Sequence, residues 1–221
     1  MGGSEDGPAV GGPGAGPVSV RTGMARDASA AALLHAQLIS EGFLSSLGSR
    51  FLRRLYRRIA GASGSFLLIA ESGGSTIGFI AGSVDVGRLY RSFLLRDGVA
   101  AGLSAPVRLV SALPRVLETL NHGRGADGPD GGELLAVAVD PSWRGRHVGR
   151  QLVEGFLKEL ERRDQHGAHV VVGADNATAI TMYARAGFSP TRTFEMHRGI
   201  RSVLMQTVVP SRSVPDTRPG S

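Results

Sequence analysis

From Leu134 to Leu157 the chain reads LLAVAVDPSWRGRHVGRQLVEGFL. An apolar run stops at Val139, Asp140-Pro141 breaks it, and a turn containing Gly145 and Gly149 leads into a helical pattern. The first turn of a helix leaves N–H groups unpaired and carries the positive end of the helix dipole, so it suits a pyrophosphate. Gly145 and Gly149 permit close backbone approach to such a ligand, and Arg144, Arg146 and Arg150 supply charge for phosphates. Alone, the same pattern also describes an ordinary helix start.

A second stretch, NATAITMYARAGF at 176–188, places Asn176, Tyr183 and Gly187-Phe188 in the spacing N-x-x-A-x-x-x-Y-x-x-x-G-F. Together the two stretches resemble the GNAT superfamily of N-acetyltransferases. Its CoA-binding motif, Q/R-x-x-G-x-G/A, stands here as Arg144-Gly145-Arg146-His147-Val148-Gly149. The resemblance is close over residues 133–205 and is one of element order over 18–84. It implies that backbone groups of Val137 and Val139 pair with the pantetheine arm of acetyl-CoA like an added strand, beside a splayed or bulged fourth strand. The amides of Gly145, Arg146, His147, Val148, Gly149 and Arg150 would hold the pyrophosphate. Asn176 would contact the cofactor arm, and Tyr183 would donate a proton near the sulfur. One residue departs from the pattern: His147 stands where the family has the first glycine of its pair. If that position requires a positive φ, a side chain costs something there, although His enters the left-handed region more readily than most.

The implied reaction sets what else is needed. A lysine-like amine has a pKa of about 10.4 and arrives protonated at neutral pH, whereas a thiol at about 8.5 yields a fair leaving thiolate. Removing the amine proton and stabilising the oxyanion therefore matter more than strong acid catalysis. Backbone N–H groups around Leu135 to Val137 can meet the oxyanion. Glu133 opens the fourth strand and is the candidate base; its position resembles the strand glutamate of the histone-acetylating branch. Period-2 alternation puts it on one face with Leu135, Val137 and Val139. The plainer readings are a solvated strand-end carboxylate for Glu133 and a core tyrosine for Tyr183. Asp140 reads as a turn residue.

These residues need a frame. Val18–Thr22 reads as a strand, and Asp27 as the N-cap of a helix through Ile39 with Ala32, Leu33, Leu34 and Leu38 as apolar positions. A second helix spans Leu47–Ile59, with Phe51, Leu52 and Leu55 opposite Arg53, Arg54, Arg57 and Arg58. Phe66–Glu71 and Ser75–Val84 form a hairpin through Gly73-Gly74. Then come a loop at 123–132, strand Glu133–Val139, helix Gly149–Arg163, strand His169–Gly173 and helix Asn176–Ala186. Strands Thr191–His197 and Ser202–Val209 close the pattern with a turn at Gly199. The result is one mixed α/β domain over 18–209, in which the GNAT resemblance implies a central sheet of about seven strands with flanking helices. Residues 86–132 form a helical insertion and loop between strands 3 and 4, and the Gly/Pro-rich ends, 1–17 and 210–221, read as disordered tails.

Composition narrows the function. There are no cysteines, which excludes disulfides and thiolate nucleophiles, and the histidines lack metal-ligand spacing, so no metal is expected. Neither G-x-G-x-x-G nor a P-loop occurs. The net charge of +6 is carried almost entirely by arginine, Lys158 being the single lysine, but aromatics are only 5% and argue against a nucleic-acid module. No apolar run approaches the roughly 20 residues of a membrane span, and no signal-peptide pattern opens the chain. A cytoplasmic enzyme without membrane insertion is expected.

The acceptor is less legible. Members that acetylate protein N-termini carry an L-E-V-R pattern before the Asn helix; Val171 and Gly173 occupy its Glu and Arg places here. A small-molecule amine such as an aminosugar is therefore expected, with a protein lysine or N-terminal acetyltransferase, or a silent CoA-binding sensor, as alternatives. The insertion carries Arg88, Tyr90, Arg91, Phe93, Arg96, Arg108 and Arg115. It reads as a lid over an anionic acceptor, a homodimer contact, a membrane-surface helix or simply a packed lid with a solvated basic face.

Overall fold

Alternating hydrophobic periods resolve into strands and helices in the expected order. The computed structural model describes residues 16–39, 48–93, 131–196 and 200–210. In chain order they form β1 (Ser19–Thr22), α1 (Ala28–Leu38), α2 (Ser49–Gly61), β2 (Ser65–Ser72) and β3 (Ser75–Ser83). A helix over residues 86–93, α3, follows. Then come β4 (Gly132–Val139), α4 (Val148–Arg162), β5 (Gly167–Gly173), α5 (Ala177–Arg185), β6 (Ser189–Met196) and β7 (Ile200–Val208). One seven-stranded sheet runs β1-β2-β3-β4-β5-β7-β6. Every neighbouring pair is antiparallel except β4 and β5.

The sheet separates two cores. On one side Phe66, Leu68 and Val170 meet Val148, Leu152, Phe156 and Leu160 of α4 and Tyr183 of α5. On the other, Leu67, Ile69 and Phe79 meet Ala31 and Leu34 of α1, Leu52, Leu55 and Ile59 of α2, and Phe93 of α3. The amphipathic reading of α2 holds: Leu52, Leu55, Tyr56 and Ile59 are buried while Arg53 and Arg57 are exposed. The β2–β3 turn at Gly73-Gly74 uses φ of +55° and +77°, which glycine adopts without penalty.

Three expectations change. Asp27 stands at the N-cap position of α1 as expected, but its side chain makes no cap hydrogen bond to that helix. It ends a 3-10 turn (Ala25–Asp27), and its carboxylate accepts from the Met24 N–H at 2.7 Å and from Arg21 at 2.9 Å. Arg21 also reaches Glu71 at 2.7 Å, so the Asp27 carboxylate is committed to β1 while its backbone starts α1. Leu33, read as an apolar position of α1, is exposed. Gly16, assigned to the tail, offers its carbonyl to the Ser72 hydroxyl at 2.8 Å. Of the insertion, residues 86–93 are helical. The remainder with Arg96, Arg108 and Arg115, the turn at Gly199, and residues 1–15 and 211–221 lie outside the described residues.

Candidate active site

Strand β4 is irregular on both sides. Toward β3 its register slips: Ala81 faces Ala136, but the next residue, Gly82, faces Leu134. Leu135 is thus an extra residue, a β-bulge, and Leu135 and Ala136 both turn toward the α1/α2 core. Alternation is broken there. Leu134 belongs to the α4 side, as do Val137 and Val139, while Ala138 lies with α1 and α2. Glu133 therefore shares a face with Leu135, Ala136 and Ala138, and not with Val137 and Val139 as unbroken alternation predicts.

Toward β5 the strand is nearly unpaired. Only Gly132–Ala168 and Glu133–His169 are in register before the two strands part. From Leu134 to Val139 no strand among the described residues pairs with that side of β4. Backbone N–H and C=O groups along it are open to an extended ligand, since such groups seldom stay unpaired when covered. The splay sits between the two cores and links the face carrying Glu133 to the side on which Tyr183 packs.

At the far end of β4, the Asp140 carboxylate accepts from the Ser142 N–H at 2.9 Å and caps a 3-10 turn (Pro141–Trp143), as its turn reading anticipates. Buried Trp143 anchors the following loop, and the Arg146 guanidinium lies 4.9 Å from its ring centroid. Gly145 and His147 then adopt φ of +75° and +61°, so the position where the family has glycine does require the left-handed region. His147 is exposed there and immediately precedes α4. Gly149 has a different reason to lack a side chain: a Cβ would lie 2.8 Å from Met182 Sδ, where α5 crosses α4. Arg144, Arg146 and Arg150 are exposed around the helix start, Arg150 paired with Glu154 at 2.7 Å. The Asn176 side-chain oxygen accepts from the Ala179 N–H at 3.0 Å and so caps α5, an interaction worth about 1 kcal/mol.

Glu133 and His169 mark the vertex of the splay. Glu133 Oε2 lies 3.5 Å from His169 Nε2, and both side chains are largely buried, 14% and 9% exposed. The sequence reading missed His169, which opens an apolar strand without a motif. Its signal is positional: it is the strand residue in register with Glu133. Tyr90 of α3 is also near. Burial pushes its hydroxyl pKa up, and the negative charge of Glu133 adds to the effect. Burial likewise raises Tyr183, which packs against Phe188 with ring centroids 5.8 Å apart and holds its proton at neutral pH.

The profile of the Acetyltransferase (GNAT) family matches residues 35–188, and the chain belongs to that family. A mycothiol acetyltransferase from Nocardiopsis dassonvillei is 35% identical over 82 residues, 36% of this chain and 25% of the relative. A [ribosomal protein bS18]-alanine N-acetyltransferase from Escherichia coli is 38% identical over 60 residues, 27% of this chain and 40% of the relative. The chain thus spans well under two thirds of the length of either. Among solved structures, yncA from Salmonella typhimurium with its cofactor acetyl-CoA superposes with a TM-score of 0.56 at 17% identity, covering 91% of this chain and 99% of that one. The likeness shows the shared fold. No helix of the described residues is long and apolar enough to cross a membrane.

Proposed function

We propose that this protein transfers an acetyl group from acetyl-CoA to a primary amine by direct attack within a ternary complex. The observation that carries the reading is the parting of β4 and β5 after Glu133, with the left-handed turn into α4 at the strand's other end. Val139 stands six residue steps beyond Glu133 along the strand, about 20 Å at roughly 3.3 Å per residue. One end can therefore serve the chemistry while the other holds phosphate. Val137 and Val139 pair with the pantetheine arm through their backbone. The amides from Gly145 to Arg150, with Arg144, hold the pyrophosphate at the helix start, and Asn176 borders the arm.

Bound acetyl-CoA supplies an electrophilic thioester carbonyl and a thiolate leaving group. Glu133 serves as the base that prepares the amine. The bulge at Leu135 frees backbone N–H groups around Leu135 to Val137 to receive the oxyanion. Tyr183, protonated at neutral pH, gives its proton toward the departing sulfur. A small-molecule acceptor, such as an aminosugar, is the favoured class. Val171 and Gly173 stand in place of the Glu and Arg of the N-terminal pattern, and a relative named for mycothiol matches the longer segment. A cytoplasmic location fits this reading.

Calorimetric titration with acetyl-CoA, CoA and ATP tests it. The expected result is heat from the two CoA species and none comparable from ATP. The absence of both heat and thermal shift with acetyl-CoA would remove the cofactor site and the catalytic assignments with it.

A further inference from the structure

At the vertex of the splay a polar row crosses the sheet. Ser65, Ser83, Glu133, His169, Gln206 and Ser189 stand in mutual register on β2, β3, β4, β5, β7 and β6. The row faces α1 and α2, because Phe66, Leu134, Ala168 and Met205, each next to a member of it, belong to the α4 side. The two serines nearest α2 are already occupied, Ser65 donating to the Ile59 carbonyl at 3.1 Å and Ser83 to the Gly64 carbonyl at 3.0 Å. The middle of the row is different. His169 Nδ1 is buried and has no hydrogen-bond partner among the described residues. An unmet polar atom at such depth costs about 1–3 kcal/mol, and native folds seldom keep one without a use for it.

We propose that His169 Nδ1 is the atom that takes the proton from the acceptor ammonium, with Glu133 holding the imidazolium that results. This rests on the acetyl-transfer reading and deepens it: Glu133 acts on the amine through His169 and not by direct contact. A carboxylate beside Nε2 selects the tautomer with Nε2–H, and that tautomer leaves Nδ1 as a bare lone pair. Such a nitrogen can only accept, so it selects an N–H donor: a primary ammonium satisfies it, and an ether or carboxylate does not. An imidazole is also intrinsically a stronger base than a carboxylate. The other groups near the pair are Tyr90 of α3, neutral because burial raises its pKa, and Gln206 of β7. Among the described residues Glu133 alone can balance a charge on the ring. In the step itself an N–H bond of the ammonium breaks and Nδ1–H forms. The freed nitrogen lone pair makes the C–N bond to the thioester carbonyl as C–S breaks. A second amine proton goes to the thiolate through Tyr183, and the imidazolium returns its proton to solvent.

The test uses the full chain with 15N-labelled histidine. NMR near neutral pH is expected to show His169 as the Nε2–H tautomer with bare Nδ1, its signals assigned by their loss in His169→Gln. This measurement needs no acceptor. CoA release is then followed with water, D-glucosamine and an alanine-initial peptide as acceptors. His169→Gln keeps an amide toward Glu133 and His169→Asn keeps one at the Nδ1 position, yet neither takes a proton. Both are expected to lose about 100-fold in kcat with unchanged acetyl-CoA Kd and Tm. A proton on Nδ1 at neutral pH, or a His169→Gln enzyme within about threefold of wild type, overturns the assignment while leaving acetyl transfer intact. Wild-type protein that gives no heat with acetyl-CoA overturns the acetyl-transfer reading itself, and the proton role with it.

Discussion

A Cβ on Gly131 would lie 1.9 Å from the carbonyl oxygen of Gly167, so the two backbone segments meet at the vertex of β4 and β5 with no room for a side chain. Gly131 also holds φ at +113°, where side chains are strained whatever the space. The close approach is what brings Glu133 into register with His169. Gly131→Ala is therefore expected to cost at least about 3 kcal/mol. Urea unfolding measures it, and a loss below about 1 kcal/mol would show that the vertex yields easily.

Glu133→Gln removes the carboxylate while keeping its shape. Turnover is expected to fall by about 100-fold with acetyl-CoA affinity unchanged, because Glu133 lies at the opposite end of β4 from the turn into α4. Steady-state CoA release and calorimetry separate the two quantities. Equal loss of both would mean that Glu133 supports the fold rather than the chemistry.

His147 occupies a left-handed conformation that costs a residue with a Cβ about 1 kcal/mol. His147→Gly should recover about that amount in urea unfolding and keep acetyl-CoA binding. His147→Val, branched at Cβ, should lose stability. If His147→Gly instead weakens binding by about tenfold or more, the imidazole itself contacts the ligand.

His35 predicts a pH response of stability. Its Nδ1 lies 2.6 Å from the Tyr56 hydroxyl, and burial holds its pKa below the ordinary imidazole value. At high pH the ring is neutral folded or unfolded and contributes no difference. As pH falls below about 6.5 the unfolded chain takes up the proton first, so stability declines. Asp27, whose pKa Arg21 lowers, keeps its contribution down to more acidic pH, as does Glu159 beside Arg162. Melting temperature measured from about pH 8 to about pH 5.5 should fall in the wild type and fall less in His35→Asn. Parallel curves would assign the response elsewhere.

How much of this was visible in the sequence depends on the range of the interaction. Element order, the α2 stripe, the Gly73-Gly74 hairpin and the turn into α4 are local signals, and each appears where residue type and spacing put it. The left-handed φ at His147 was anticipated from a family glycine alone. The bulge at Leu135 was not placed, because it is a property of the register between β3 and β4 and no residue announces it. Its consequence, the wrong face for Val137 and Val139 relative to Glu133, followed directly. His169 was passed over for the same reason: its partner is 36 positions away in sequence and adjacent only after the sheet forms. Gly131 and Gly132 looked like the end of a loop, yet added Cβ atoms would collide with Gly167 and with the Leu160 side chain.

The bulge shifts the phase of β4 by one residue. Glu133 before it looks toward α1 and α2, and Val137 and Val139 after it look toward α4, where unbroken alternation would put all three on one face. Residues on the face toward α1 and α2 can therefore change without moving the valines that pack toward α4. A single deletion at Leu135 would erase that shift and rotate one half of the strand into the wrong compartment, so the extra residue is what allows one strand to serve two partners.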